Sequence, residues 1–241
     1  MPEEMFLFIA DISGYTAYMV RSEREHTHGT LVISELIKVL ARQASLPMEV
    51  SKLEGDAVFF YLPLAKLTPE MAGNPLHLTK QLLCFFQTFS MKVRELQQSA
   101  ACDCGACTHI DKLELKIVAH LGKATPETIG SFHELSGVDV ILVHRLLKNQ
   151  VKEKRYLMLT QAAHQRLKLP QEGRVTERVE IDKDIGEIPV VVYFPQDQGE
   201  SIPRKDLSFT EKLKSHFHLA TGTLLLKLGI IKRPRFHNFP E

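Results

Sequence analysis

Met5-Phe-Leu-Phe-Ile-Ala-Asp11-Ile-Ser-Gly-Tyr-Thr16 is an apolar run that ends in a carboxylate and is broken at once by Ser13-Gly14. A run this short and aromatic reads as a strand buried on both faces. Working outward, the spacing predicts helices over about 15–24 and 29–44, the second with Leu31, Ile33, Leu36, Ile37 and Leu40 on one side. Two strands follow, 48–53 and 57–62. Between them Glu54-Gly55-Asp56 forms a tight turn, which sets a second carboxylate at a hairpin tip.

Beyond that hairpin the pattern predicts a long helix over 76–98 and a cysteine-bearing loop over 101–109. Strand 113–121 then alternates Leu113, Leu115, Ile117, Ala119 and Leu121 inward and stops at Gly122. A short strand near 127–132, a helix over about 138–149 and a strand over 156–159 come next. Thr160 caps a helix over 161–167, and a hairpin over 174–182 and 188–195 turns at Ile185-Gly186-Glu187. The order βααββαβ alternates strands and helices, yet its hairpins require antiparallel pairing, so the fold class is α+β.

Composition narrows the function. Of 241 residues, 44% are apolar and 24% charged, which suits a chain with a sizeable core. Thirty basic side chains against twenty-nine acidic ones leave a formal charge of +1. That balance provides no field to gather a nucleic acid polymer, which is excluded as a partner. The acidic start is unlike a secretory signal, and no stretch reaches the ~18 apolar residues of a membrane span. Three of the four cysteines, Cys102, Cys104 and Cys107, crowd together away from Cys84. Such crowding suits a metal or thiol site in a reducing compartment, so the expected location is the cytoplasm.

The expected organisation is a main domain over 1–196 with the loop 101–109 inserted, then a polar linker over 197–207. A C-terminal amphipathic helix and basic tail would occupy 208–241. Ser208 and Glu211 make a capping box, and Leu213, Phe217, Ala220, Leu224 and Leu228 share one side. Three readings stay open for this helix: packing on the main domain or a second subunit, lying on a membrane surface, or docking a partner protein.

Two carboxylates interrupt apolar strand contexts, Asp11 at a strand end and Asp56 at the hairpin tip. A buried carboxylate is costly unless paired or bound to a metal. If the strands are neighbours, the pair could hold one or two Mg²⁺ or Mn²⁺ ions, which favour oxygen ligands and leave positions open for phosphates. A strand-end Asp and a turn-capping Asp are the plainer alternative. Cys102, Cys104, Cys107 and His109 place four soft ligands within eight residues. They suit Zn²⁺, completed by His120 or a second chain because the spacing is tight, or a redox-sensitive loop, or cysteines with no ligand at all.

Read together, the flanking residues resemble a family. Asp11-Ile-Ser-Gly-Tyr-Thr16 resembles the Asp-Ile-x-Gly-Phe-Thr metal motif of class III adenylate and guanylate cyclases. Lys52-Leu-Glu-Gly-Asp56 resembles their Lys-x-x-Gly-Asp hairpin, and His120-Leu-Gly122 their strand-ending His-x-Gly segment. The stretch 137–146 is similar to their Gly-x-x-Val-Asn-x-x-x-Arg-Leu helix, and 179–187 to their C-terminal hairpin. The matches run in family order over about 5–195, in the manner of a divergent, bacterial-type branch.

The resemblance implies a ferredoxin-like core, ATP as substrate, and head-to-tail homodimers that make cyclic AMP and pyrophosphate. Asp11, Asp56 and the Ile12 carbonyl would hold two metals. Lys52 and Glu134 would read adenine, Arg145 would stabilise the transferring phosphate, and Lys183 would reach the terminal phosphates. One position departs from the pattern: Ile141 stands where the family has an Asn that orients the ribose. Losing one positioned polar group lowers a rate by ~10²–10³. The resemblance therefore leaves two functions, a slow adenylate cyclase and a catalytically degenerate module that binds nucleotide or a signalling partner without turnover.

Overall fold

A computed structural model describes residues 1–21, 26–44, 47–100, 105–130 and 132–196. The expected linker over 197–207 and helix over 208–241 lie outside these residues, as do Cys102 and Cys104. In chain order the elements are β1 (Glu3–Ser13), α1 (Tyr15–Arg21), α2 (His26–Gln43), β2 (Glu49–Glu54), β3 (Ala57–Pro63), α3 (Pro69–Gly73), α4 (Pro75–Ser99) and α5 (Gly105–Thr108). Then come β4 (Glu114–Ile129), β5 (Phe132–Ser136), α6 (Val138–Leu146), β6 (Tyr156–Thr160), α7 (Gln161–His164), β7 (Arg174–Asp182) and β8 (Gly186–Phe194).

The strands among these residues form one sheet ordered β2-β3-β1-β4-β6-β8-β7, with β5 paired to β4 outside that path. Neighbouring strands run antiparallel except β4 and β6, which are parallel. This is the ferredoxin-like α+β arrangement expected. β1 is an interior strand between β3 and β4, which explains why its run is apolar on both faces: Phe6, Phe8, Ala10 and Ile12 join one core, Met5, Leu7 and Ile9 the other.

The larger core sits under α2 and α4, where Phe60 meets Phe85 edge-on at 5.2 Å between centroids. Helix α4 starts where the sequence instructs it: Pro75 occupies the first turn, and the Asn74 side chain accepts from Leu76 N at 3.1 Å. On the opposite face Val140, Val143 and Leu146 of α6 pack on β1 and β4. Thr160 caps α7 as expected, accepting from Ala163 N, but that helix ends at His164.

One expectation is corrected. Strand β4 does not stop at Gly122 but continues to Ile129, and its last five residues pair with β5 as a two-stranded arm. Gly122 is there for room. A Cβ on it would lie 2.4 Å from Asp139 Cγ and 2.6 Å from His120 Nε2. The missing side chain is a close-approach requirement within a strand, not a turn signal. No helix among the described residues is long and apolar enough to cross a membrane.

Candidate active site

Strand register decides what Asp11 meets. It pairs with Ala57 on one side and Lys116 on the other. Lys116 pairs in turn with Tyr156. Asp11, Lys116 and Tyr156 thus form a row across β1, β4 and β6, on the α6 face of the sheet. Asp56 enters from the β2–β3 turn, which Gly55 closes at φ +66°, and its carbonyl accepts from Ile12 N at 3.2 Å. The two expected carboxylates are therefore brought together.

Their charges are strained by that closeness. Burial and the Asp11 charge push the Asp56 carboxyl up to about 6, against the opposing pull of Lys116. Lys116 Nζ lies 2.9 Å from Asp11 Oδ2 and donates to the Leu147 carbonyl at 3.2 Å. Burial pushes the Tyr156 hydroxyl up to about 12, and it exchanges hydrogen bonds with the Asn149 amide. These groups line a cleft of about 520 Å³, together with Ile12, residues 13–17 and Lys152, Glu153 and Lys154 of the loop after α6.

Lys52 and Glu134 lie on β2 and β5, 82 positions apart in sequence, yet their side chains meet at 3.2 Å. Glu54 stands 3.3 Å from the same ammonium and 2.9 Å from His144 Nε2. Burial alone would lower the Lys52 pKa, but the hydrogen bonds it donates to Glu134 and Glu54 leave it raised. The His144 ring stacks edge-on against Phe59 at 5.0 Å, and its Nδ1 lies 2.6 Å from the Val140 carbonyl. That side chain braces α6 to the β2–β3 hairpin.

Arg145 points to the β7–β8 turn, 3.4 Å from Asp184 and 3.8 Å from Asp182. Lys183 sits between those two acids in the chain. Arg145, Lys183, Lys52 and Glu134 do not line the cleft that holds Asp11 and Asp56. One chain therefore presents the expected residues apart, Asp11 and Asp56 in the cleft, the Lys52–Glu134 pair and Arg145 outside it. Ile141 is 53% exposed on α6. Neither nearby polar residue supplies its missing amide: Asp139 is bound to His120 Nε2 at 3.1 Å and Lys123 N at 2.6 Å, and Asn149 to Tyr156.

Of the cysteine cluster, Cys107 and His109 are described. His109 Nδ1 lies 2.9 Å from the Gly105 carbonyl and 3.0 Å from the Thr108 hydroxyl. Among the described residues no three His, Cys, Asp or Glu side chains gather closely enough to enclose a metal ion.

Sequence reading missed Lys116, Tyr156, Asn149, Lys152 and Lys154. Lys116 carried one signal, a basic residue in the middle of an apolar strand. Alternation alone assigns such a residue to the outward face, and only the register opposite Asp11 gives it a role.

Known structures share this fold. The adenylyl cyclase CyaB from P. aeruginosa aligns with a TM-score of 0.62 at 12% identity, over 83% of this chain and 98% of that one. A bacterial light-regulated adenylyl cyclase aligns at 0.57 and 14% identity, over 91% and 58%. The guanylyl cyclase Cya2 aligns at 0.56 and 15% identity, over 85% and 98%. Identities this low establish the cyclase-like fold alone.

In sequence, the chain is 36% identical over 122 residues to a Mycobacterium tuberculosis protein described as "Uncharacterized protein Rv2561/Rv2562". That match covers 51% of this chain, and the chain spans about half the length of that relative, 54%. Residues 33–156, just over half of the sequence, match the family described as "Protein of unknown function (DUF2652)", and the chain belongs to that family.

Proposed function

We propose that the chain is a slow nucleotide cyclase of the class III type, converting ATP to 3′,5′-cyclic AMP and pyrophosphate in a cytoplasmic head-to-tail homodimer. One observation supports this reading: the site residues divide into two groups, a carboxylate-and-lysine cleft and a set outside it, the Lys52–Glu134 pair together with Arg145 at the β7–β8 turn. A two-fold pair of chains would join the first group of each to the second group of the other.

The cleft suits Mg²⁺ or Mn²⁺. Asp11 and Asp56 are held side by side, and Lys116 offsets only part of their combined charge. The two carboxylates and the Ile12 carbonyl would hold the cations, by oxygen ligands of the kind these ions favour. Bound metal supplies positive charge that lowers the pKa of the ribose 3′-hydroxyl and neutralises the departing pyrophosphate. The 3′-oxygen bonds to the α-phosphorus, the bond from that phosphorus to the bridging oxygen breaks, and the hydroxyl proton passes to water.

The chain's own residues position these groups. Lys116, Lys152 and Lys154 bring three ammonium groups to the cleft against Asp11, Asp56 and Glu153, so the cations held by Asp11 and Asp56 would supply the excess positive charge a polyphosphate requires. Lys52 donates to a ring nitrogen of adenine and Glu134 accepts from its exocyclic amine. Arg145 is 45% exposed and only loosely held by Asp182 and Asp184, so it exchanges them for a phosphate oxygen, with Lys183 on the terminal phosphates.

The second reading is a module that binds nucleotide or a signalling partner without turnover. It is favoured by Ile141 and by the commitment of Asp139 and Asn149 to other partners. ATP turnover with Mn²⁺ separates the two, at concentrations that maintain a dimer and with Asp56→Ala as control. Equal amounts of cyclic AMP and pyrophosphate, lost in the control, support the cyclase. Metal-dependent ATP binding without product supports the module, and absence of both removes nucleotide from either reading.

Asp56→Asn tests the metal clasp without turnover. A carboxyl raised in the fold binds its proton more tightly there, so ionised Asp56 destabilises the fold above about pH 6. That penalty fades as pH falls from about 6 toward the ordinary carboxylate range. At pH 7.5 in EDTA, Asp56→Asn is expected to stabilise by about 1 kcal/mol, a value reduced for solvent screening at a half-exposed group. The corresponding rise is about 2–4 °C in Tm. Mn²⁺ should then raise the Tm of the native chain and not that of the variant; equal responses would dismiss the clasp.

A further inference from the structure

Lys116 stands opposite Asp11 in the β1–β4 register, and its Nζ lies 2.9 Å from Asp11 Oδ2. Both side chains are largely covered, 21% and 14% exposed. A second bond, to the Leu147 carbonyl at 3.2 Å, ties the ammonium to the residue just past α6. The same charge reaches Asp56, whose carboxyl it draws down against burial and the Asp11 charge. A basic side chain is thus built in among the groups that would hold metal.

We propose that the cleft binds one divalent cation per chain, with the Lys116 ammonium standing as the second positive charge. Two ions, each gripped by both carboxylates, would call on all four carboxylate oxygens, and Lys116 already claims Asp11 Oδ2. An ion on that oxygen would also lie beside a like charge. What remains is Asp11 Oδ1, the Asp56 carboxylate and the Ile12 carbonyl, which suit one hard cation whose other positions go to phosphate or water. Among the described residues no third His, Cys, Asp or Glu side chain joins the pair closely enough to enlarge that donor set.

Lys116 acts here as a positioning residue. It holds one oxygen of Asp11 and leaves the other to the cation, as a compact charge with three donors that needs no loading. Part of the cleft's positive charge would then be independent of metal concentration. The inference rests on the cyclase-type reading of the cleft and departs from the two metals that the resemblance implies.

Manganese counting and electron paramagnetic resonance of the full chain test it, at concentrations that maintain a dimer. The probes are Mn²⁺ and α,β-methylene-ATP, an analogue that cannot release pyrophosphate. Each native chain is expected to bind one Mn²⁺ with the spectrum of an isolated ion. Lys116→Met should bind two, and ions about 3.5–4 Å apart give a spin-coupled spectrum. Lys116→Arg keeps the charge and should stay at one, which separates a lost charge from a rearranged cleft. If Lys116→Met fails to fold, Lys116→Gln, which keeps a donor without the charge, takes its place. A coupled pair in the native chain overturns this inference and leaves the cyclase-type reading standing. A single ion in both the native chain and the folded uncharged variant overturns it as well. No bound Mn²⁺, or an ion that Asp56→Asn does not weaken, overturns the inference together with the reading it rests on.

Discussion

Ile141→Asn is expected to raise Mn²⁺-dependent ATP turnover by ~10²–10³-fold, the gain that one positioned polar group typically confers on a transition state. Ile141 is 53% exposed and stands four positions before Arg145, so both share one face of α6. The amide would be added where the resemblance implies a ribose contact, beside the guanidinium assigned to the phosphate. Because the position is exposed, stability should stay within about 0.5 kcal/mol of the native chain. Ile141→Ala removes the same apolar surface without adding a donor, and should leave turnover unchanged. An unchanged rate in an Ile141→Asn protein that still binds Mn²⁺ and ATP would favour the module that does not turn over.

Gly122→Ala is expected to cost about 2–4 kcal/mol, combining overpacking with loss of a buried polar contact. The added methyl would lie 2.4 Å from Asp139 Cγ, a distance real contacts do not reach. Asp139 must then leave His120, whose ring is buried and bridges Thr160 Oγ1 at 2.8 Å and Asp139 Oδ1 at 3.1 Å. At about 2–4 °C per kcal/mol for a chain of this size, Tm should fall by roughly 5–15 °C. Adding Asp139→Ala removes the closest of the clashes, leaving the one with His120 Nε2 at 2.6 Å, so the double variant should be less damaged than the sum of the single ones. Additive losses would mean that Gly122 serves the strand in some other way.

How much of this was legible in sequence follows from the range of each signal. Asp11 and Asp56 were readable because each breaks an apolar run locally, and the β2–β3 turn is written in Gly55. The run 5–12 revealed an interior strand because both of its faces are apolar. Gly122 misled because a strand that accommodates a neighbour's carboxylate carries the same residue as a strand that ends. Lys116 and Tyr156 gained their roles only from register, set by pairings between strands distant in the chain. The Lys52–Glu134 pair was named by resemblance, but that the two side chains meet within one chain was not.

The fastening of α6 has a mechanical meaning. Near its start Asp139 is bonded to His120 and the Lys123 amide, and just past its end the Leu147 carbonyl holds Lys116. All three anchoring residues belong to β4, so helix and strand would move as a single stiff beam. The beam extends past the sheet as the β4–β5 arm, a natural handle for a load. A torque on that handle would then reach Arg145 and Lys116 as one displacement. A regulator gripping the arm would swing both charges together and could not adjust either one alone.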